Sequence, residues 1–210
     1  MHVLIIGSTG KLGRELVRQG LARGHDIVAL ARNPADVTTQ HERLTVITGN
    51  VLRPDDVDRA VMGCDAVISA LGHHRFFVPN TILSDGTHEI IRAMSAHGVR
   101  RFICVTALGV GDSKWKLGLY YTLFVEPVIV WFYFRDKERQ EKFVRESGLE
   151  WTIVRPGQLT NGRQRGAYRQ GTKIGSWWRT ALISRADVAA FMLDQLTDRS
   201  NLRRTVELAY

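Results

Sequence analysis

Chemistry in this chain concentrates at a few places. The first is Gly7-Ser8-Thr9-Gly10-Lys11-Leu12-Gly13, a G-x-x-G-x-x-G turn that ends the apolar run Val3-Leu4-Ile5-Ile6. Glycines at that spacing permit a tight bend, a close backbone approach to a phosphate and close packing of the following helix. The helix N-terminus then faces the pyrophosphate of a dinucleotide. The spacing differs by one residue from the commoner G-x-G-x-x-G, so its weight comes from the strand before it and the helical pattern after it. A packing turn without a ligand is the plainer alternative.

A second apolar strand ends at Arg32-Asn33-Pro34, with no carboxylate. An acidic residue there bonds the ribose 2′-hydroxyl of NAD, whereas a guanidinium offers a flat donor fork to the 2′-phosphate of NADP. The preference read here is NADP. Asn50 and Val51 follow the third strand, where Asn50 can bond the adenine amine. Ala70-Leu71-Gly72 follow the fourth and are small enough for a ribose or nicotinamide to reach the backbone. Thr106 follows the fifth, its hydroxyl expected to point into the ligand crevice.

Tyr133 and Lys137 lie four apart on a helical segment and share a face. A neighbouring lysine favours the phenolate and makes tyrosine a better proton relay near neutral pH, while the ammonium can hold a ribose hydroxyl. Such a short spacing also arises by chance inside an aromatic run. His73 and His74, in the loop 73–79, form part of a candidate pocket wall and read as solvent-facing rather than catalytic.

These residues need a scaffold that brings strand ends together, and the periodicity supplies one. Short apolar strands are expected at Val3 to Ile6, Ile27 to Ala31, Leu44 to Thr48, Asp65 to Ser69, Phe102 to Val105, Trp151 to Val154 and Thr205 to Leu208. Between them lie helices: one carrying Leu12, Leu16, Val17 and Leu21 and closed at Gly24; one opened by Pro54 with Asp55 and Asp56; one over Ser84 to His97; and one running through Glu146. Ser184-Arg185-Ala186-Asp187 is a capping box that starts a last helix through Val188, Phe191, Met192 and Leu196. Residues 157–183 are polar and glycine-rich and are expected to fold over the open end of the sheet as a small substrate-side cap. The β–α alternation predicts an α/β fold made of one domain over 1–210, a doubly wound, mainly parallel sheet in the order 3-2-1-4-5-6-7 with helices on both faces.

The formal charge is +8, from 29 basic and 21 acidic side chains. The arginines are scattered and no nucleic-acid signature accompanies them, so a basic rim around an anionic cofactor is the simpler account. Cys64 and Cys104 lie in or beside apolar strands with no metal-ligand spacing near them, and no signal peptide precedes Val3. Reduced structural thiols in a cytoplasmic protein, and no metal, are expected. The apolar stretch 117–134 is broken by Glu126-Pro127, which argues against a membrane span and for a lid over a flat substrate or a partner surface.

Taken together, these residues resemble the atypical short-chain dehydrogenase/reductase group with Rossmann-type NAD(P)H-binding domains, and within it flavin reductase (biliverdin-IXβ reductase) and its bacterial relatives. The resemblance spans nearly the whole chain through Gly7 to Gly13, Arg32, Gly49-Asn-Val-Leu52, Cys64 to Ile68, Arg139 to Leu149, Arg155-Pro-Gly157 and Ile183 to Asp187. It implies phosphate contacts from Ser8 to Gly13, the 2′-phosphate on Arg32, adenine near Asn50 and Val51, and nicotinamide ribose near Ala70 to Gly72. Pro156 joins that cofactor-binding set, and Lys137 matches a basic position near the nicotinamide. Asn50 stands where the family usually has aspartate, and Thr106 where it often has serine. The implied activity is that of an oxidoreductase passing hydride from NADPH to a flat conjugated small molecule such as a flavin, quinone or tetrapyrrole, in a monomer or dimer. Two other readings stay open: carbonyl reduction or epimerisation using Tyr133 and Lys137, and a redox sensor that binds NAD(P) without turnover.

Overall fold

The computed structural model describes residues 1–72, 80–111, 131–172, 174 and 180–210. Its first strand, β1 (His2–Ile6), shows why the opening residues form a sheet centre. Val3 and Ile5 project into one core and Leu4 and Ile6 into the other, so both faces are buried and the run is continuously apolar rather than alternating. Parallel pairing places β2 (Asp26–Ala31) on one side of β1 and β4 (Ala66–Ser69) on the other, and β3 (Leu44–Thr48) extends beyond β2. Past β4 come β5 (Arg101–Val105), β6 (Glu150–Pro156) and β10 (Arg204–Ala209), all parallel.

The sheet order is therefore β3-β2-β1-β4-β5-β6-β10, as the alternation predicts, with an eighth strand added at the edge. That strand, β8 (Arg169–Gly171), runs antiparallel to β10. The 157–183 segment thus does more than fold over the sheet. Part of it widens the sheet, and β7 (Gln158–Thr160) pairs in parallel with β9 (Leu182–Ser184) as a separate two-stranded piece. Polar Arg169-Gln170-Gly171 carries no apolar period, because an edge strand exposed on one side needs none.

Two helices, α1 (Lys11–Ala22) and α5 (Arg185–Asp194), pack on one face through Leu16, Val17, Val188 and Met192. The other face carries α2 (Pro54–Val61), α3 (Ile82–Ala96) and α4 (Trp131–Glu146), joined to the sheet by Val57, Ile90, Met94 and Val144. The chain goes one way from β1 to β3 and the other from β4 to β6, so the order reverses between β1 and β4. Ligands of open α/β sheets bind in the crevice at that reversal. Here the two strand ends touch: a Cβ on Gly7, whose φ is +80°, would lie 2.5 Å from the Ala70 carbonyl oxygen.

The capping box at α5 forms, Ser184 Oγ accepting from the Asp187 amide at 3.0 Å, and Asp187 does more than cap. Buried, its carboxylate accepts from the Arg165 and Gly166 amides, from Ser184 Oγ and from the Tyr210 hydroxyl at 2.6 Å. Burial works to raise its pKa, but the four donors prevail and hold it below the ordinary aspartate value. A depressed carboxylate stabilises the fold above its unfolded pKa and ceases to as pH falls through the folded one. Asp187→Asn is therefore expected to lower the urea midpoint at pH 7 and to narrow the gap from wild type as pH drops below about 4. Parallel curves across that range would contradict it.

Cys64 and Cys104 are both free and buried, and burial raises their thiols to about 11 and about 12. Among the described residues no helix is long and apolar enough to cross a membrane, and no group of three metal-ligating side chains occurs. The expectations for the loop 73–79, for the apolar segment 117–130 and for residues 173 and 175–179 of the 157–183 cap lie outside the described residues.

Candidate functional site

A cleft of about 560 Å3 runs along the carboxyl ends of the strands, across the β1/β4 reversal. Its floor is the glycine turn, and each glycine there has its own reason. Gly7 needs its positive φ and its contact with Ala70, while a Cβ on Gly13 would stand 2.0 Å from the Gly7 carbonyl oxygen. Gly10 is less constrained, 3.3 Å from the same atom, and serves as N-cap of α1. Thr9, Lys11 and Leu12 also line the cleft.

The N-terminus of α1 differs from those of α3 and α5. It has no side-chain cap and no acidic residue in its first turn. By contrast, Asp136 of α4 accepts from the Leu83 and Ser84 amides and from the Ser84 hydroxyl, closing the start of α3. The first N–H groups of a helix require partners, and those of α1 open onto the cleft, where an anion would supply them. Ser8, within the turn, carries a buried hydroxyl with no partner among the described residues. An uncapped helix start, an orphaned serine and a turn with no room for Cβ atoms all fit a phosphate-bearing cofactor.

Arg32 stands at the end of β2 and lines the cleft, as do Asn50, Val51, Ala70, Leu71 and Gly72. The side-chain oxygen of Asn50 accepts from the Leu52 amide at 3.1 Å. The arm it offers a base is its NH2, which suits a ring nitrogen of adenine rather than the amine. Thr106, Tyr133 and Lys137 line the other end. Pro156 does not: it is buried at the end of β6, paired across to Leu208, and its carbonyl accepts from the Leu108 amide.

The helix α4 turns an unusually polar face inward. Lys137 is 1% exposed, its ammonium 5.3 Å from the centre of the Tyr133 ring and 3.4 Å from Gln140 Oε1. The lysine thus lies over the aromatic face. Gln140 in turn donates to Thr87 Oγ1 at 3.0 Å, so that α3 and α4 are locked by Asp136 at one turn and Gln140 at the next.

Next to Gln140, buried Glu141 collects four donors. Arg155 grips it with Nε at 2.9 Å and a terminal nitrogen at 2.7 Å, Arg145 adds a contact at 2.8 Å, and Thr106 Oγ1 donates at 2.7 Å. The Thr106 proton is committed to this carboxylate. Toward the cleft its oxygen acts as an acceptor, not as the acid that its position suggests.

Sequence reasoning missed Asp136, Glu141 and Arg155 as organisers of this wall, and Arg185 as part of the cleft. Arg135 to Glu146 reads as a solvated charge run. The available signal was spacing, because residues 136, 137, 140 and 141 fall on one helical face. Among the described residues four cations line the cleft, Lys11, Arg32, Lys137 and Arg185, and no carboxylate does.

Comparison with known proteins agrees with this geometry. An uncharacterised sugar epimerase, YhfK, of Bacillus subtilis is 28% identical over 215 residues, covering 99% of this chain and 94% of that protein. A (4-alkanoyl-5-oxo-2,5-dihydrofuran-3-yl)methyl phosphate reductase of Streptomyces griseus is 30% identical over 154 residues, 73% of this chain and 46% of its own. The chain spans about half the length of this and other curated relatives it matches. A short-chain dehydrogenase/reductase of Veillonella parvula, solved with NADP, superposes with a TM-score of 0.83 at 22% identity, covering all of this chain and 94% of that one, which shows the shared fold. The profile of the NAD(P)H-binding family matches residues 7–199, and the chain belongs to that family.

Proposed function

We propose that this chain is an NADPH-dependent oxidoreductase that delivers hydride to a flat conjugated acceptor. The observation that carries the reading is the cleft itself, which crosses the strand reversal with an uncapped helix start and, among the described residues, four cations and no carboxylate. In this reading the Gly7 to Gly13 turn and Lys11 hold the pyrophosphate and Arg32 the 2′-phosphate. Asn50 and Val51 take adenine, and Ala70 to Gly72 take the nicotinamide ribose. Bound NADPH supplies a hydride from its nicotinamide ring.

The chain's own contribution is alignment and charge. Lys137, held between Tyr133 and Gln140, presents an ammonium that bonds a ribose hydroxyl and stabilises negative charge arriving on the acceptor. Thr106 orients by accepting a hydrogen bond. An acceptor that spreads the incoming charge needs little proton donation, which matches a wall whose hydroxyl is already given to Glu141. A phosphate-ester reductase among the relatives supports reduction as the reaction class.

The test is NADPH oxidation, followed at about 340 nm, against flavins, quinones, biliverdin and simple carbonyls, with cofactor affinity by calorimetry. Turnover with the conjugated acceptors is expected, and tight NADPH binding with no turnover on the whole panel would instead indicate a sensor. Arg32→Ala is expected to lower the NADPH-to-NADH affinity ratio at least about tenfold, the scale of one charge-assisted phosphate contact. An unchanged ratio would remove Arg32 from the 2′-phosphate.

One observation favours a second reading: Tyr133 and Lys137 both line the cleft, which is the pairing that carbonyl reduction or epimerisation needs. Tyr133→Phe separates the two. It is expected to leave flavin or biliverdin reduction within about threefold, whereas loss of about a hundredfold or more on carbonyl substrates alone would assign the phenol as their acid.

A further inference from the structure

Arg185 is the cleft cation that the cofactor reading leaves unused. It is the first residue of α5, half-buried, and its guanidinium donates to the Asn161 side-chain oxygen at 2.6 Å, a neutral partner. Asp187, two residues on, does not neutralise it. That carboxylate is saturated by the Arg165 and Gly166 amides, Ser184 and Tyr210. Among the described residues Arg185 has no carboxylate partner. Burial also depresses its pKa, as for a cation partly stripped of water and without a counter-charge.

Position distinguishes Arg185 from the other cations. Arg32 follows β2 and Lys11 opens α1 above β1, where the phosphates of a dinucleotide would lie. Arg185 follows β9, and Asn161, which holds it, follows β7, so both belong to the end of the cleft served by β6. Lys137 reaches that end from α4, on the opposite face of the sheet from α5. Two desolvated cations thus approach one cleft from both faces. A guanidinium with, among the described residues, four of its five donors unspent is built for a planar or tetrahedral oxyanion.

We propose that the acceptor is itself anionic and that Arg185 binds its carboxylate or phosphate, fixing the conjugated part beside Lys137. Arg185 is then a specificity-determining residue. The inference rests on the hydride-transfer reading above.

The experiment uses matched acceptors that differ only in the anion, flavin mononucleotide against riboflavin and biliverdin against its dimethyl ester, with the chain of residues 1–210. The wild type is expected to favour the anionic member at least about tenfold in kcat/KM. Arg185→Ala should reduce that ratio to near one and Arg185→Lys should retain part of it, with the NADPH dissociation constant unmoved in both. A wild type indifferent to the anion in both pairs overturns the inference, and so does a ratio that survives in Arg185→Ala. A fall in NADPH affinity with the ratio preserved overturns it too, and assigns Arg185 to the cofactor's phosphates. Calorimetry of the same pairs on the NADP-loaded chain needs no turnover. A ratio seen there and lost in Arg185→Ala, with no reduction of any acceptor, sustains the anion site while the hydride-transfer reading fails.

Discussion

Gly13→Ala is expected to abolish useful NADPH binding while leaving a folded chain. The added Cβ would lie 2.0 Å from the Gly7 carbonyl oxygen and 2.7 Å from Ser8 Cα, both backbone atoms that no rotamer change can move. The helix α1 must therefore draw back from the turn. Its open N–H groups would leave the place that the proposed binding mode gives the pyrophosphate, and the phosphate would lose the backbone donors and the helix dipole together. Calorimetry should show NADPH affinity reduced by at least about a hundredfold, with helical circular dichroism preserved. Gly10→Ala is the control, because a Cβ there meets the same oxygen at 3.3 Å with α1's N-cap in ordinary extended backbone, and it should cost less stability. Affinity within threefold of wild type for Gly13→Ala would mean that the turn does not cradle the phosphate.

The largest stability effect is expected at Glu141. Its carboxylate accepts from Arg155, Arg145 and Thr106, and Glu141 and Arg155 are each 1% exposed. Removing one member of a buried pair leaves the other charge stranded, which costs about 3–5 kcal/mol. Glu141→Ala should show that loss in the urea-unfolding free energy. Replacing the pair together, Glu141→Leu with Arg155→Met, should recover much of it, since an apolar pair of similar size needs no counter-charge. A single variant within 1 kcal/mol of wild type would show that Arg155 finds its partners elsewhere. The same substitution frees the Thr106 hydroxyl to donate into the cleft, so stability and acceptor preference should change together.

Much of this protein was legible in one dimension. Parallel strands buried on both faces leave uninterrupted apolar runs, so β1, β2, β4, β5 and β6 were readable, and their alternation with helices set the order out to β10. That Gly7, Arg32, Asn50, Val51, Ala70 to Gly72 and Thr106 line one cleft was legible because each comes just after a parallel strand, and in a parallel sheet every strand ends at the same edge.

What the tertiary structure decided lies where a residue's role depends on a neighbour distant in sequence. Asp136, Gln140 and Glu141 look like solvated polar residues until α4 is laid against α3, β5 and β6. They then become a cap, a lock and a counter-ion. Pro156 follows a strand as the others do, yet β6 pairs one step further and buries it. β8 has no apolar pattern to announce it, and Arg185 looked like one residue of a capping box. Local sequence carries periodicity and strand ends, whereas the partner of a buried charge is set by packing between segments.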